Sequence, residues 1–135
     1  MNPQSALDTY KRDSIENAPP LKLVRMLYQG AVRFLDRAMA CEAKDPRSQF
    51  VHWIARADAI VAELRVSLEK SHAPDVSENL EQLYLFCESE MLRAMTERDP
   101  STLPAVRKVL SQLLEAWTSI EVRQSAGEVR QGKGE

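Results

Sequence analysis

Apolar side chains recur every three or four residues in four separate stretches of this chain, and this spacing predicts four helices. The first helix is predicted to begin after Pro20 and to end near Lys44. The second is predicted to begin at Pro46, with Asp45 as its N-cap. One regular apolar stripe runs along the second helix, made of Phe50, Ile54, Ala57, Val61, Leu64 and Leu68.

The third and fourth helices follow connections that are rich in proline and in capping residues. Asp75 or Ser77 is expected to cap the third helix. Its predicted core face consists of Leu80, Leu83, Tyr84, Cys87, Met91, Ala94 and Met95. Residues 99–102 end this helix and cap the fourth, where Pro104 falls in the first turn. The apolar stripe of the fourth helix consists of Leu103, Val106, Val109, Leu110, Leu113, Leu114, Trp117 and Ile120.

Helices of about 20 residues with short connections predict an all-α fold, an antiparallel up-down-up-down four-helix bundle over residues 21–123. Residues 1–20 form a predicted N-terminal arm, which Pro19 and Pro20 separate from the bundle. Residues 124–135 hold three of the four glycines and little apolar mass. Because burial there cannot offset the ordering entropy, this segment is predicted to be a disordered tail.

The first helix is more apolar than a bundle core requires. The apolar side chains of residues 23–41 cover an arc of roughly 240°, whereas packing into one core needs about 100°. Gly30 lies in the middle of this arc, where glycine costs roughly 0.5–1 kcal/mol relative to alanine. The pattern predicts a second buried face, with a close approach at Gly30. Leu85 and Leu92 form a second, narrower strip on the third helix, as peripheral packing or as a partner-binding edge.

Composition places the chain among single-domain proteins of modest charge. Lys and Arg total 18 against 20 Asp and Glu, a net charge of −2, so no strong field favours nucleic acid. No apolar run approaches the roughly 18 residues of a membrane span, and the first 20 residues lack a signal-peptide core. We therefore expect a cytoplasmic protein without membrane insertion. Cys41 and Cys87 are expected to be core thiols.

No catalytic, metal or cofactor site is predicted. A di-iron bundle needs two Glu-x-x-His pairs, and this chain has only Glu69 with His72. Arg47 with His52, and Arg65 with His72, have the loose Arg-x4–6-His spacing of HEPN-type helical ribonucleases. That ribonuclease and a homodimeric helical interaction module are the alternatives to a binding module for another protein.

Several segments of the chain are similar to one family. Residues 27–35 read Leu-Tyr-Gln-Gly-Ala-Val-Arg-Phe-Leu, which resembles the Leu-Tyr-Glu-Gly-Ala-hydrophobic-x-Phe-hydrophobic signature of the flagellar secretion chaperone FliS, with Gln29 in place of the usual Glu. Residues 54–68 resemble the family's second helix and residues 79–84 the start of its third. Trp117 matches a tryptophan near the end of its fourth helix, and Tyr10 a tyrosine in its mobile arm.

The resemblance implies a bundle that binds the disordered C-terminal segment of flagellin in the cytosol, keeps it unpolymerised and delivers it to the flagellar type III export apparatus, without a nucleotide. A client segment that becomes helical can lay apolar anchors into grooves between the helices. Resemblance and periodicity together give the predicted partner-binding residues. On the first helix these are Leu23, Leu27, Gly30 and Phe34, on the third Leu85 and Leu92, and in the arm Tyr10 as a displaceable lid.

Overall fold

A computed structural model describes the backbone of residues 21–68 and 74–133, and the side chains of 21–68, 75–120, 122 and 123. Four α-helices make up most of this part of the chain. They are α1 (Leu21–Met39), α2 (Phe50–Val66), α3 (Pro74–Glu97) and α4 (Leu103–Lys133), with a short 3-10 turn at Pro100–Thr102. The predicted all-α four-helix fold is confirmed.

The helices form a ring in which each packs against the helices next to it in the sequence, and α4 closes the ring against α1. The two connections at one end lie side by side. Lys44 Nζ donates a hydrogen bond to the carbonyl oxygen of Glu97 at 3.3 Å, and Arg98 Nη1 donates to that of Asp45 at 3.0 Å. The α1–α2 and α3–α4 connections therefore meet, as an up-down-up-down bundle requires.

Three polar groups lie within the apolar core and satisfy one another. The hydroxyl groups of Tyr28 and Tyr84 share a hydrogen bond, and Trp117 Nε1 donates to the Tyr28 hydroxyl at 3.1 Å. Because an unpaired buried polar group is costly, these bonds favour one arrangement of α1, α3 and α4. Cys87 is also buried, and that burial raises the pKa of its thiol to about 12.

The connection between α1 and α2 is longer than predicted. Helix α1 ends at Met39 and α2 begins at Phe50, so Asp45 is not the N-cap of a helix. Asp45 Oδ1 instead accepts a hydrogen bond from the backbone N–H of Arg47 at 2.9 Å, and Ser48 Oγ donates to the carbonyl of Glu42 at 2.7 Å. Such local side-chain bonds compete with helical ones, which explains the misplaced boundary.

The ends of α3 lie close to the prediction, whereas α4 is longer than predicted. Helix α3 begins at Pro74, so Asp75 lies in its first turn and Ser77 is buried inside it. Asp99 caps the 3-10 turn by accepting from the N–H of Ser101 at 2.9 Å, and that bond lowers the pKa of Asp99. The backbone of α4 stays helical beyond the expected end at Arg123, as far as Lys133.

Candidate partner-binding surface

Four of the predicted partner-binding residues lie along one face of α1. Leu23, Leu27, Gly30 and Phe34 follow each other at spacings of four, three and four residues, which places them on one side of the helix. This side borders α2, and we call the boundary the α1–α2 seam. All four residues are half-buried. Partner contact at these positions stays a prediction.

Phe34 occupies the centre of a stack of aromatic rings and cations. Its ring stacks on that of Trp53 from α2, with centroids 5.6 Å apart and planes inclined by 21°. The Cζ atom of Arg56 lies 4.9 Å from the Phe34 centroid, and that of Arg37 lies 4.8 Å from the Trp53 centroid. His52 meets Trp53 edge-on at 4.7 Å. Trp53 is therefore a boundary residue at the helix–helix contact.

Gly30 faces the side chain of Ile60 rather than an empty gap. A Cβ atom added at Gly30 would lie 3.5 Å from Ile60 Cδ1, which is ordinary van der Waals contact. Leu27 packs against the core nearby. Helix α2 therefore covers part of the second apolar face of α1, which explains why α1 is so broadly apolar.

Leu85 and Leu92 belong to α3, which packs against the side of α2 that faces away from the α1–α2 seam. Both flank Glu88, one three residues before it and the other four after it, so the three side chains share a helix face. Arg65 Nε of α2 lies 2.5 Å from Glu88 Oε2. We call this boundary the α2–α3 seam. Leu85 is 41% exposed and Leu92 58%, so much of this apolar strip contacts solvent.

Acidic groups dominate the α2–α3 seam. Burial of Asp58 raises the pKa of its carboxyl, and the nearby charge of Glu88 raises it further, although Arg65 acts in the opposite direction. The hydrogen bond to Glu88 raises the pKa of Arg65, which also feels the charge of Glu81. One guanidinium at this seam thus interacts with three carboxyl groups, two of α3 and one of its own helix.

A third region was not predicted from the sequence. A groove of about 1200 Å³ lies between α1 and α4, on the side of α1 opposite the α1–α2 seam. Its lining includes Met39 and Leu114, and it also includes Asp36 and Arg107, which form an ion pair at 2.5 Å. The signal was present in the arc of roughly 240°. Met39 and Phe34 lie about 140° apart on the helix, which is more than the roughly 100° that one core needs.

The six predicted partner-binding residues that the structure describes lie in two separate groups. The α1–α2 seam holds Leu23, Leu27, Gly30 and Phe34, and the α2–α3 seam holds Leu85 and Leu92. Helix α2 stands between the two groups. Tyr10 lies outside the described residues, as does His72. In the part of the chain that the structure describes, no helix is long and apolar enough to cross a membrane.

Half-exposed apolar strips between helices are typical of surfaces that bind another polypeptide. The fold is a four-helix bundle with such strips at two helix–helix boundaries. Comparison with known sequences is more specific, since the family profile "Flagellar protein FliS" matches residues 3–124. The chain belongs to the FliS family.

Relatives from several bacteria match most of the chain. A flagellar secretion chaperone FliS of Campylobacter jejuni is 30% identical over 115 residues, 85% of this chain and 90% of the relative. One from Vibrio cholerae is 28% identical over 121 residues, 87% of this chain and 89% of the relative. The Bacillus subtilis protein of the same name is 25% identical over 131 residues, 97% of this chain and 96% of the relative.

Proposed function

We propose that this protein is a cytoplasmic export chaperone for flagellin. It binds the disordered C-terminal segment of flagellin, prevents premature polymerisation and delivers its client to the flagellar type III export apparatus. The observation that carries the proposal is the match to the FliS family over residues 3–124, which covers α1, α2, α3 and most of α4. The relatives are named flagellar secretion chaperones, which supports the same role. This role requires no enzymatic activity.

The two seams suit a client that is disordered when free. A segment that becomes helical on binding can place apolar anchors against Phe34 at one seam and against Leu85 and Leu92 at the other. Coupled folding and binding of this kind buries roughly 1,000–3,000 Å², which offsets the cost of ordering the client. Because Leu85 and Leu92 are 41% and 58% exposed, client binding would remove substantial apolar surface from water.

Calorimetry with a synthetic peptide tests the binding step. The peptide is the C-terminal segment of the flagellin encoded in the same genome, and a scrambled peptide of the same composition is the control. We expect 1:1 binding with a negative change in heat capacity, because apolar surface is buried. The absence of both heat and chemical-shift changes with the authentic peptide at micromolar protein would falsify the proposal.

Two further measurements separate the proposal from its alternatives. Light scattering over a range of concentrations is expected to show one chain per client peptide, whereas a homodimeric module would show a doubled mass. Incubation with RNA is expected to give no cleavage that depends on His52. Cleavage by the parent that the His52→Ala variant loses would favour the ribonuclease instead.

The delivery step needs a cellular assay. Deleting the gene is expected to reduce secreted flagellin strongly, and reintroducing the parent gene is expected to restore it. A deletion strain that exports flagellin at the normal rate would contradict the export role, even if the peptide binds in solution.

A further inference from the structure

The arginines of this protein are held in two different ways. Arg65, Arg93 and Arg107 each form an ion pair with a carboxylate. Arg37 and Arg56 are exposed, and each lies over an aromatic ring at the α1–α2 seam. Neither has a carboxylate partner among the described residues. We call the set Arg37, Trp53, Phe34 and Arg56 the cation ladder.

Acidic residues of the neighbouring helices do not neutralise this ladder. Asp36 is the one acidic residue of α1, and it pairs with Arg107 of α4 on the other side of the helix. Asp58 of α2 interacts with Glu88 and Arg65, at the α2–α3 seam. Glu63 is the other acidic residue of α2, and it lies seven residues beyond Arg56, about 10 Å along the helix. No ion pair among the described residues joins Glu63 to Arg56. The ladder is therefore a local positive surface on a chain whose net charge is −2.

One more arginine and one imidazole lie beside the ladder. Arg33 precedes Arg37 by four residues on α1, and His52 precedes Arg56 by four on α2, so each lies on the same helix face as its neighbour in the ladder. Both of these side chains are exposed.

Stacking on a ring prepares a guanidinium for binding an anion. The ring restricts the long side chain, so less rotamer entropy is lost when its N–H groups bond to a carboxylate. Arginine matches a carboxylate with two parallel hydrogen bonds, which are stronger than neutral ones. The ladder thus presents two restricted guanidinium groups on one surface.

We propose that the cation ladder is a docking site for an acidic peptide segment, the part of the client that carries Asp or Glu residues next to its apolar anchors. This inference rests on the proposed function and deepens it, because it assigns a chemistry to the client at one seam. Leu23 and Leu27 continue the apolar strip from Phe34 toward the start of α1. A matching client places a carboxylate within about one helical turn of an apolar side chain.

The stacked rings favour an acidic peptide over nucleic acid. Proteins that bind single-stranded nucleic acid offer aromatic faces on which bases stack. Here Phe34 and Trp53 stack on each other, and each also has a guanidinium over it. Both ring faces are already used, so no face is left for a base to stack on, and a partner meets the ring edges and the N–H groups of the arginines.

Calorimetry with the same flagellin peptide tests this inference on the full-length chain. The double variant Arg37→Gln with Arg56→Gln is expected to bind about tenfold more weakly, because two charge-assisted contacts are lost. Its affinity is also expected to depend less on salt than that of the parent. Arg93→Gln removes the same kind of charge from an exposed ion pair on α3, and it is expected to bind like the parent.

The chemistry is tested from both sides of the contact. The double variant Arg37→Lys with Arg56→Lys keeps the charge but loses the bidentate geometry, so we expect a loss of intermediate size. Replacing the acidic residues of the peptide by amides is expected to weaken binding to the parent but not to the Gln double variant. Thermal unfolding of each variant checks that it is folded at the assay temperature.

Three results would overturn the inference. The first is equal affinity and salt dependence for the parent and the Gln double variant. The second is tight binding of the parent to a peptide stretch without Asp or Glu. The third is a single-stranded oligonucleotide that displaces the peptide in the parent and not in the double variant. If the parent binds no flagellin peptide at all, the proposed function fails and this inference fails with it.

Discussion

The two seams that flank α2 differ in charge, in aromatic content and in exposure. At the α1–α2 seam two stacked rings carry two guanidinium groups. At the α2–α3 seam a single arginine, Arg65, lies among the carboxyl groups of Asp58, Glu81 and Glu88, beside two exposed leucines. One helix therefore separates a basic, well-packed surface from an acidic surface with open apolar side chains.

This difference suggests that one seam sets the affinity for a client and the other sets the client's orientation. Apolar burial supplies most of the driving force for association and has no direction, whereas complementary charges set the register and suppress the wrong partner. If a client lies across α2, the leucines of α3 contribute burial and the arginines at the α1–α2 seam select its acidic end.

Removing the ring at the centre of the α1–α2 seam is expected to have the largest effect on stability. Trp53→Ala loses the stacking on Phe34 and the support for Arg37, so the free energy of unfolding should fall by about 2 kcal/mol. Leu92→Ala is the comparison at the other seam, where 58% exposure leaves little burial to lose. Urea unfolding measures both variants. Equal losses would remove the contrast in packing.

For client binding, the larger loss is expected from substitutions at the α2–α3 seam. The double variant Leu85→Ala with Leu92→Ala should bind the flagellin peptide about tenfold more weakly, because it removes apolar surface that the client would bury. Val76→Ala is a control, since this exposed side chain lies near the start of α3. Unchanged calorimetric affinity in the double variant would place the client elsewhere.

Breaking the ion pair at the α2–α3 seam is expected to cost stability at neutral pH. Arg65→Gln leaves Glu88 and Asp58 as neighbouring negative charges without their cation. The free energy of unfolding at pH 7 should fall by about 1 kcal/mol, a moderate value because both side chains of the pair are partly exposed. Arg93→Gln, which breaks the more exposed pair with Glu97, should cost less. Equal costs would contradict the difference in burial.

Gly30→Ala is expected to be stabilising by about 0.5 kcal/mol. Alanine favours the helix, and the added Cβ would meet Ile60 Cδ1 at 3.5 Å without a clash. Gly30→Leu, by contrast, must displace the side chain of Ile60 and should destabilise the bundle. Thermal unfolding measures both. A Gly30→Ala variant that unfolds normally but loses client affinity would instead support an open gap at Gly30.

The smallest expected effect concerns the pH dependence at Asp58. Burial raises its pKa in the folded state above the ordinary 3.8, so the folded protein holds this proton more tightly than the unfolded chain does. Its contribution to stability therefore falls as pH rises through the window above 3.8. Asp58→Asn should be slightly more stable than the parent at pH 7, by roughly a few tenths of a kcal/mol, and this advantage should shrink toward pH 4. A difference that grows on acidification would have the wrong sign.

Periodicity located the helices well but misplaced some of their ends. The stripe of Phe50, Ile54, Ala57, Val61 and Leu64 is buried as expected, since a helix in a bundle must turn its apolar side inward. Leu83 and Ile120 were expected in the core but are 37% and 39% exposed. Leu83 lies on α3 and Ile120 on α4. These two helices make the least extensive contact of any neighbouring pair in the ring.

The candidate site was predicted only in part, because its chemistry depends on pairs of helices. Phe34 was identified from α1 alone, but its stacking on Trp53 depends on the register of α1 against α2. The sequence did not indicate that Arg37 and Arg56 would meet rings on the neighbouring helix while Arg65 and Arg107 would meet carboxylates. Contacts between residues distant in sequence follow from packing angles and register, which periodicity does not contain.

The sequence by itself determined the number of helices, their inward faces and the excess of apolar surface on α1, because a 3.6-residue period links each apolar position to one side of a helix. Only the tertiary structure decided what covers that excess. Ile60 fills the space beside Gly30, Trp53 stacks on Phe34, and the groove opens along the other edge of the same helix. The reason is geometric, since neighbouring helices can approach the two edges of a wide apolar arc to different extents.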